Sequence, residues 1–339
     1  MRTTASEPIL TVQDLQIDLI ARGGPVSIVR GVSFTLHAGQ KIALLGESGA
    51  GKSVTARCVA GILAEGRFQV RGSVMVEGVE FAGRSRKQLR PHRGKVALVF
   101  QDPTRTLNPS MRIGKQIAEA VRLSGANKET ANKEAIDLMR RVGIADPEER
   151  FHNYPHQLSG GMRQRIVIAI ALALKPDILL ADEATTSLDV TTQAQIMRLL
   201  REIIDETGMA MILITHDVAL AASVVDDIMV MYAGRIVERL PAEDVVHDAQ
   251  MPYTKALISA VPAMAEGVDL PVAIPGTPPD PRQLPPGCPF EPRCSVSFDR
   301  CLSEEPVLFV LGERRASACW HSEQQPLVGA TTDAGTYQC

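Results

Sequence analysis

The chain has 339 residues, 45% of them hydrophobic and 22% charged, with a formal net charge of −3. That is length for one large domain plus an appendage or for two domains, and material for a sizeable core. The charge balance supplies no positive field to draw the protein onto nucleic acid or an anionic membrane. The longest unbroken apolar run, Ile166–Leu174, is about half of the ~20 residues that a bilayer-spanning helix needs.

The opening segment Met1–Pro8 lacks the apolar core of a signal peptide, so a cytosolic protein is expected, reaching a membrane only through partners. Ile9–Val12, Leu15–Leu19 and Val32–Leu36 carry strand-like apolar spacing, and Lys41–Leu45 reads as a short buried strand running into a glycine loop. From Ser53 to about Leu63 the pattern is helical. Val74–Val76 and Val96–Phe100 are further strands, and residues 110–174 are mostly helix-like, with Ile113, Ile117, Ala120 and Val121 at helical spacing. Strands at Ile178–Ala181, Ala210–Thr215 and Ile228–Tyr232 then alternate with helices near 191–207 and 217–225. Alternation of this kind predicts an α/β fold around a buried parallel sheet, with the helical block between Gln101 and Lys175 as an inserted subdomain. Near residue 262 the composition changes: ten of the 22 prolines lie between Pro271 and Pro306, which rules out long helices and central strands there.

The loop Gly46-Glu47-Ser48-Gly49-Ala50-Gly51-Lys52-Ser53 follows a strand and opens a helix, the context in which this spacing binds phosphate. Its glycines let backbone N–H groups turn toward phosphate oxygens, and the helix N-terminus adds partial positive charge. Lys52 is expected to reach the β- and γ-phosphates of ATP, and the Ser53 hydroxyl to ligate Mg²⁺. Asp182 ends a buried strand where ligands collect at a sheet edge, and is expected to hold Mg²⁺ through water; Glu183, one residue on, is the general-base candidate that polarises the attacking water.

Between these two elements stands Leu158-Ser159-Gly160-Gly161-Met162, and beyond them Thr215-His216-Asp217. In this order the motifs resemble the ATP-binding cassette (ABC) ATPases. The resemblance implies a P-loop ABC ATPase domain: a parallel sheet core, an antiparallel β subdomain and an inserted helical subdomain. It also implies a dimer, in which Ser159, Gly160, Gly161 and Asp189 of one subunit complete the ATP site of the other. Gln101 matches the glutamine placed near Mg²⁺ and the attacking water, His216 the switch histidine at the γ-phosphate, and Ser187-Leu188-Asp189 the loop that links the two sites. Two departures stand out. Leu19 occupies the position where an aromatic usually stacks on adenine, and Ala184 replaces the usual proline after Asp182-Glu183.

A narrower resemblance covers residues 9–320. Gln101-Asp102-Pro103 running into Leu107-Asn108-Pro109, the run Asp182–Val190, Pro252-Tyr253-Thr254-Lys255-Ala256-Leu257 and the tail Gly287-Cys288-Pro289-Phe290, Arg293-Cys294, Cys301, Cys319-Trp320 are similar to the bacterial oligopeptide/dipeptide/nickel importer ATPases. This implies an ATPase that energises peptide import from the cytoplasmic face of the inner membrane. Its partners would be a second ABC ATPase subunit in a heterodimer, two transmembrane permease subunits and an extracytoplasmic substrate-binding protein. Nickel chelates, opines or glutathione are the alternative cargoes. A non-transport ABC protein would show two cassettes, a coiled-coil insertion or a basic surface, and the sequence has none of these. The domains read as an ATPase at 8–261, an extension at 262–322 and a tail at 323–339.

The extension's cysteines, Cys288, Cys294, Cys301 and Cys319, are spaced C-x5-C-x6-C-x17-C, which matches neither a zinc ribbon nor a ferredoxin run. Spacing leaves open a metal site or free buried thiols; the resemblance implies a [4Fe–4S] cluster with a structural role, alongside the ATP and Mg²⁺ of the cassette.

Overall fold

In a computed structural model, residues 7–100, 102–184, 189–261 and 273–323 are described, and they build two sheets. The smaller is antiparallel, in the order β2-β1-β4-β5, from β1 (Leu10–Ala21), β2 (Gly24–Leu36), β4 (Phe68–Val76) and β5 (Val79–Glu80). The two early segments predicted as separate strands are one bent strand. Asp14 adopts φ 42°, the ladder slips between Val12 and Leu15, and the Asp14 N–H donates to Ser33 Oγ at 2.9 Å. A bulge at one residue breaks the alternation without ending the strand.

The larger sheet has a parallel centre, β9-β3-β8-β7-β6, from β3 (Lys41–Leu45), β6 (Val96–Val99), β7 (Ile178–Asp182), β8 (Ala210–Thr215) and β9 (Asp227–Tyr232). Its strands are buried on both faces, so they read as continuous apolar runs. Alternate residues divide between two cores. Ala43, Leu45, Leu179, Ala181, Met211 and Leu213 face the helical block, while Ile42, Leu44, Ile178, Leu180, Ile212 and Ile214 face the antiparallel sheet and the helix Lys52–Val59. The helical block comprises Ile113–Leu123, Lys128–Arg141 and Gly160–Leu172, packed on one another.

Three antiparallel strands extend this sheet beyond β9, and the sequence reading did not contain them. β10 (Arg235–Pro241) returns from β9 through the two-residue turn Ala233-Gly234, with φ 45° and 81°, a mirror-type hairpin turn. β11 (Phe309–Gly312) and β12 (Arg315–Ser317) come from the proline- and cysteine-rich extension, and β12 pairs with β10 at Glu238↔Ser317 and Arg239↔Ala316. The extension therefore shares a sheet with the cassette rather than hanging from it.

Candidate nucleotide site

The loop after β3 is shaped by close approaches that only glycine allows. A Cβ on Gly46 would stand 2.3 Å from Met231 O, and one on Gly51 2.8 Å from Ile28 O; both residues have positive φ. The helix Lys52–Val59 starts directly behind. Lys52 is buried, and its ammonium donates to Gly46 O at 2.7 Å and Glu47 O at 2.8 Å. Burial lowers its pKa, opposed by the charges of Glu183, Asp182 and Glu47. Those three carboxylates thus lie around the ammonium.

Strand alternation turns Asp182 toward the same side as Ile178 and Leu180, where the helix behind the loop lies. There Ser53 Oγ donates to Asp182 Oδ1 at 2.9 Å. Burial pushes the Asp182 pKa up, partly offset by that hydrogen bond. A hydroxyl at the start of a helix and a carboxylate at the end of a strand make an all-oxygen donor pair, suited to Mg²⁺ with the remaining positions left to substrate phosphates and water. The chain turns sharply after Asp182: Glu183 has φ 48°, and its N–H donates to Ile214 O at 2.9 Å. Its carboxylate Oε1 lies 3.4 Å from Nδ1 of the exposed His216, which follows the end of β8. Lys52, Ser53, Asp182, Glu183 and His216 are thereby brought to one end of the parallel sheet, three of its strands each contributing at their carboxyl termini. Gln101, Ser187 and Leu188 lie outside the described residues.

The remaining predicted site residues form a second group. Ser159 caps the helix Gly160–Leu172, accepting from Met162 N–H at 3.3 Å, and Asp189 caps Val190–Thr207, accepting from Thr192 N–H at 2.9 Å. Ser159, Gly160, Asp189 and Val190 are all exposed. The two helix starts adjoin, because a Cβ on Gly161 would stand 2.7 Å from Thr192 Cγ2. Ser159, Gly160 and Asp189 thus lie exposed at two adjoining helix starts.

Residues 29–186 match the family model described as ABC transporter, and residues 237–301 match that of the oligopeptide/dipeptide transporter C-terminal region. The chain is 44% identical over 323 residues to the dipeptide transport ATP-binding protein DppD of Bacillus subtilis, covering 94% of this chain and 96% of that one. It belongs to the ABC transporter ATP-binding proteins, in their oligopeptide/dipeptide branch. The oligopeptide transport ATP-binding protein OppD of Mycobacterium tuberculosis is 45% identical over 321 residues; the match takes in 93% of this chain and 52% of the relative, about half its length. Among solved structures, cbiO1 from Clostridium perfringens, part of the ABC transporter complex cbiONQ, aligns at TM-score 0.62 and 27% identity over 71% of this chain and 91% of that one. The cassette MJ0796 in a dimeric state bound to ADP and phosphate aligns at TM-score 0.62 with 23% identity, covering 69% of this chain and 99% of that one, a likeness of fold.

Two sequence departures of this ABC protein now have places. Leu19 sits half-buried in β1 between Val26 of β2 and Phe68 of β4, and Ala184 is buried directly behind Glu183. Among the described residues, no helix is long and apolar enough to cross a membrane.

The four extension cysteines are unpaired by disulfides. The Cys288 thiol is pushed up to about 11, chiefly by burial, with Cys301, Cys319 and Cys294 raising it further. Among the described residues, however, no group of three or more His, Cys, Asp or Glu side chains is arranged to hold a metal ion. The donor chemistry suits a soft metal, but the placement of the thiols does not amount to a ligand set.

Sequence reasoning missed one contact altogether. Arg293, beside Cys294, donates from Nη1 to Glu47 Oε2 at 2.6 Å and from Nη2 to Oε1 at 3.0 Å. The second position of the glycine loop is thus gripped from the extension. Only the fold brings together charges 246 residues apart.

Proposed function

We propose that this chain is an ATP-hydrolysing subunit that energises import of di- and oligopeptides through a membrane ABC transporter. The observation that carries the reading is the Ser53–Asp182 hydrogen bond beside Lys52 and the Glu183–His216 pair, which assembles phosphate-, Mg²⁺- and water-directed groups at one sheet end. The peptide cargo rests on the kinship with DppD and OppD.

In this mechanism the backbone N–H groups of Gly46–Ser53 and the Lys52 ammonium bind the ATP phosphates. Ser53 Oγ, and Asp182 through water, would hold Mg²⁺, with Gln101 as the further residue directed at it, and the ion would supply charge neutralisation at the phosphates. Glu183 accepts a proton from the water it orients for in-line attack, and His216 contacts the γ-phosphate while supporting Glu183. Ser159, Gly160, Gly161 and Asp189 complete the site of a second ATPase subunit, a similar but distinct chain, a reading that the exposure of Ser159, Gly160 and Asp189 supports. Permease subunits and an extracytoplasmic binding protein complete the machine, and the chain works at the cytoplasmic face of the inner membrane without nucleic acid. Residues 8–261 form the ATPase domain, 262–322 the extension and 323–339 a tail. The resemblance of the extension supports a structural [4Fe–4S] cluster that Cys288, Cys294, Cys301 and Cys319 would hold, although the thiols as placed do not themselves form the ligand set.

The test is isolation of the intact membrane complex and its reconstitution into vesicles. ATP-dependent uptake of a labelled dipeptide, abolished by Lys52→Ala, is the expected result. ATP hydrolysis without peptide uptake, but with uptake of a nickel chelate, overturns the cargo.

A further inference from the structure

Glu47 is a non-glycine residue inside a loop whose work depends on where its backbone points. Its polar groups are all engaged. Its N–H donates to Tyr253 Oη at 2.8 Å, its carbonyl accepts from Lys52 Nζ at 2.8 Å, and its two carboxylate oxygens accept the fork of Arg293. Arg293 is fixed in turn. Its side chain is 4% exposed, its Nε donates to Pro275 O at 2.8 Å, and its Nη1 reaches Tyr232 Oη at 3.3 Å. The guanidinium lies 5.9 Å from the Tyr232 ring centre and 5.8 Å from that of Phe290, so aromatic faces flank the cation. Tyr232, Tyr253 and Phe290 pack on one another, with centroids 4.5 to 5.4 Å apart. The 3₁₀ turn Glu291–Arg293 that carries the arginine is bracketed by Cys288 and Cys294.

We infer that Arg293 is a positioning residue for ATP binding: the extension reaches 246 residues back along the chain and sets the phosphate loop through Glu47. A bidentate arginine–carboxylate pair fixes direction as well as distance, and a lysine or a neutral partner cannot reproduce it. With Glu47 held, its carbonyl faces Lys52 and the following N–H groups of the loop are pre-oriented. Without it, the loop must pay that ordering cost when phosphate arrives. Arg293 touches no reacting atom, and the loop grips the phosphates before and during hydrolysis alike, so its effect belongs to affinity rather than to turnover. The same pair makes the phosphate loop responsive to whatever loosens or stiffens the cysteine turn. The inference rests on reading residues 46–53 as the phosphate loop.

The experiment uses the full chain, with binding of a fluorescent ATP analogue and steady-state hydrolysis measured for Arg293→Met, Arg293→Lys, Glu47→Gln, the double variant Glu47→Gln/Arg293→Met and Arg300→Met. Arg300 lies in the same extension, where it pairs with Glu304 and Glu323 and stacks on Trp320, away from the loop. Expected for Arg293→Met is a Kd and KM for MgATP raised by about tenfold with kcat within about twofold, the scale of losing a charge-assisted bidentate pair. Arg293→Lys recovers part of the loss, and the double variant is no worse than the poorer single. Arg300→Met leaves Kd unchanged. An unchanged Kd in folded Arg293→Met, an additive double variant, or an equal Kd shift in Arg300→Met overturns the inference. If Arg293→Met does not fold, Arg293→Lys and Glu47→Gln carry the same comparison. Lys52→Ala is run alongside: normal nucleotide binding there removes the phosphate-loop reading itself, whereas lost binding there with an unaffected Arg293→Met removes only the positioning role.

Discussion

Gly161 and Thr192 join the exposed starts of two helices: a methyl placed on Gly161 would stand 2.7 Å from Thr192 Cγ2. The contact ties Ser159 to Asp189 as one surface, because each of these residues caps one of the two helices. Thr is β-branched and stiff at χ1, so the clash cannot be relieved by a simple swing of the side chain. Gly161→Ala is expected to cost about 1–3 kcal/mol of stability and to depress hydrolysis, the range for overpacking a close contact. Thr192→Ser deletes Cγ2 and keeps a hydroxyl, so Gly161→Ala/Thr192→Ser should recover much of the lost melting temperature. Equal melting of the single and double variants would sink the packing argument.

Glu183→Gln keeps the shape of the side chain and removes the carboxylate beside His216, the proposed base. Turnover should fall by about 10² or more while nucleotide binding survives. Single-turnover hydrolysis and analogue binding measured on one preparation separate the two effects, and near-normal hydrolysis would refute the assignment.

The exposure of Ser159, Gly160 and Asp189 has a kinetic counterpart. The proposed two-subunit site, with Lys52 from one chain and Ser159 from another, works poorly in isolation. Specific activity of the purified chain should therefore rise with protein concentration, and should rise further on addition of the partner ATPase. Concentration-independent, efficient hydrolysis by a monomer in sedimentation analysis contradicts this.

Cys288 carries a pH prediction. In the metal-free protein its pKa stands above the ordinary 9.0, at about 11, chiefly through burial. A raised folded-state pKa means that its contribution to stability is complete below about pH 9 and is lost as pH rises through about 11. Exchange protection in the extension of metal-free protein, relative to the base-catalysed rate of the unfolded chain, should fall across that window, and alkylation of Cys288 should be slow at pH 8. Anaerobically prepared protein should instead contain about four irons per chain, as a cubane held by four thiolates requires, and each Cys→Ser change at 288, 294, 301 or 319 should lower that content. Stoichiometric zinc would replace iron in this account, and rapid alkylation of all four thiols in folded, metal-free protein would remove the burial argument.

The sequence was most readable where function is written in adjacent residues. The run Gly46–Ser53, the pair Asp182-Glu183 and the caps Ser159 and Asp189 each depend on a few consecutive positions, and the doubly buried strands show as unbroken apolar runs. The bulge at Asp14 made one strand look like two. The β9–β10 turn escaped because Ala233 takes a left-handed conformation that alanine seldom adopts. β11 and β12 are short, and what makes them strands is pairing: β12 on the β10 edge and β11 in turn on β12. The Glu47–Arg293 pair has no local signature, since one residue stands in the glycine loop and the other in the cysteine tail, 246 residues apart.

The β10–β12 pairing has a consequence for how this protein keeps to itself. Without β11 and β12, β10 would be the last strand of the large sheet on that side, and the Val237 carbonyl now satisfied by the Ala318 N–H would face solvent. An uncovered strand end of a sheet is a template for other chains. The extension is thus a guard against self-association as well as a clasp, and a cassette cut after residue 261 should aggregate at concentrations where the full chain remains dispersed, even with its nucleotide-binding residues all present.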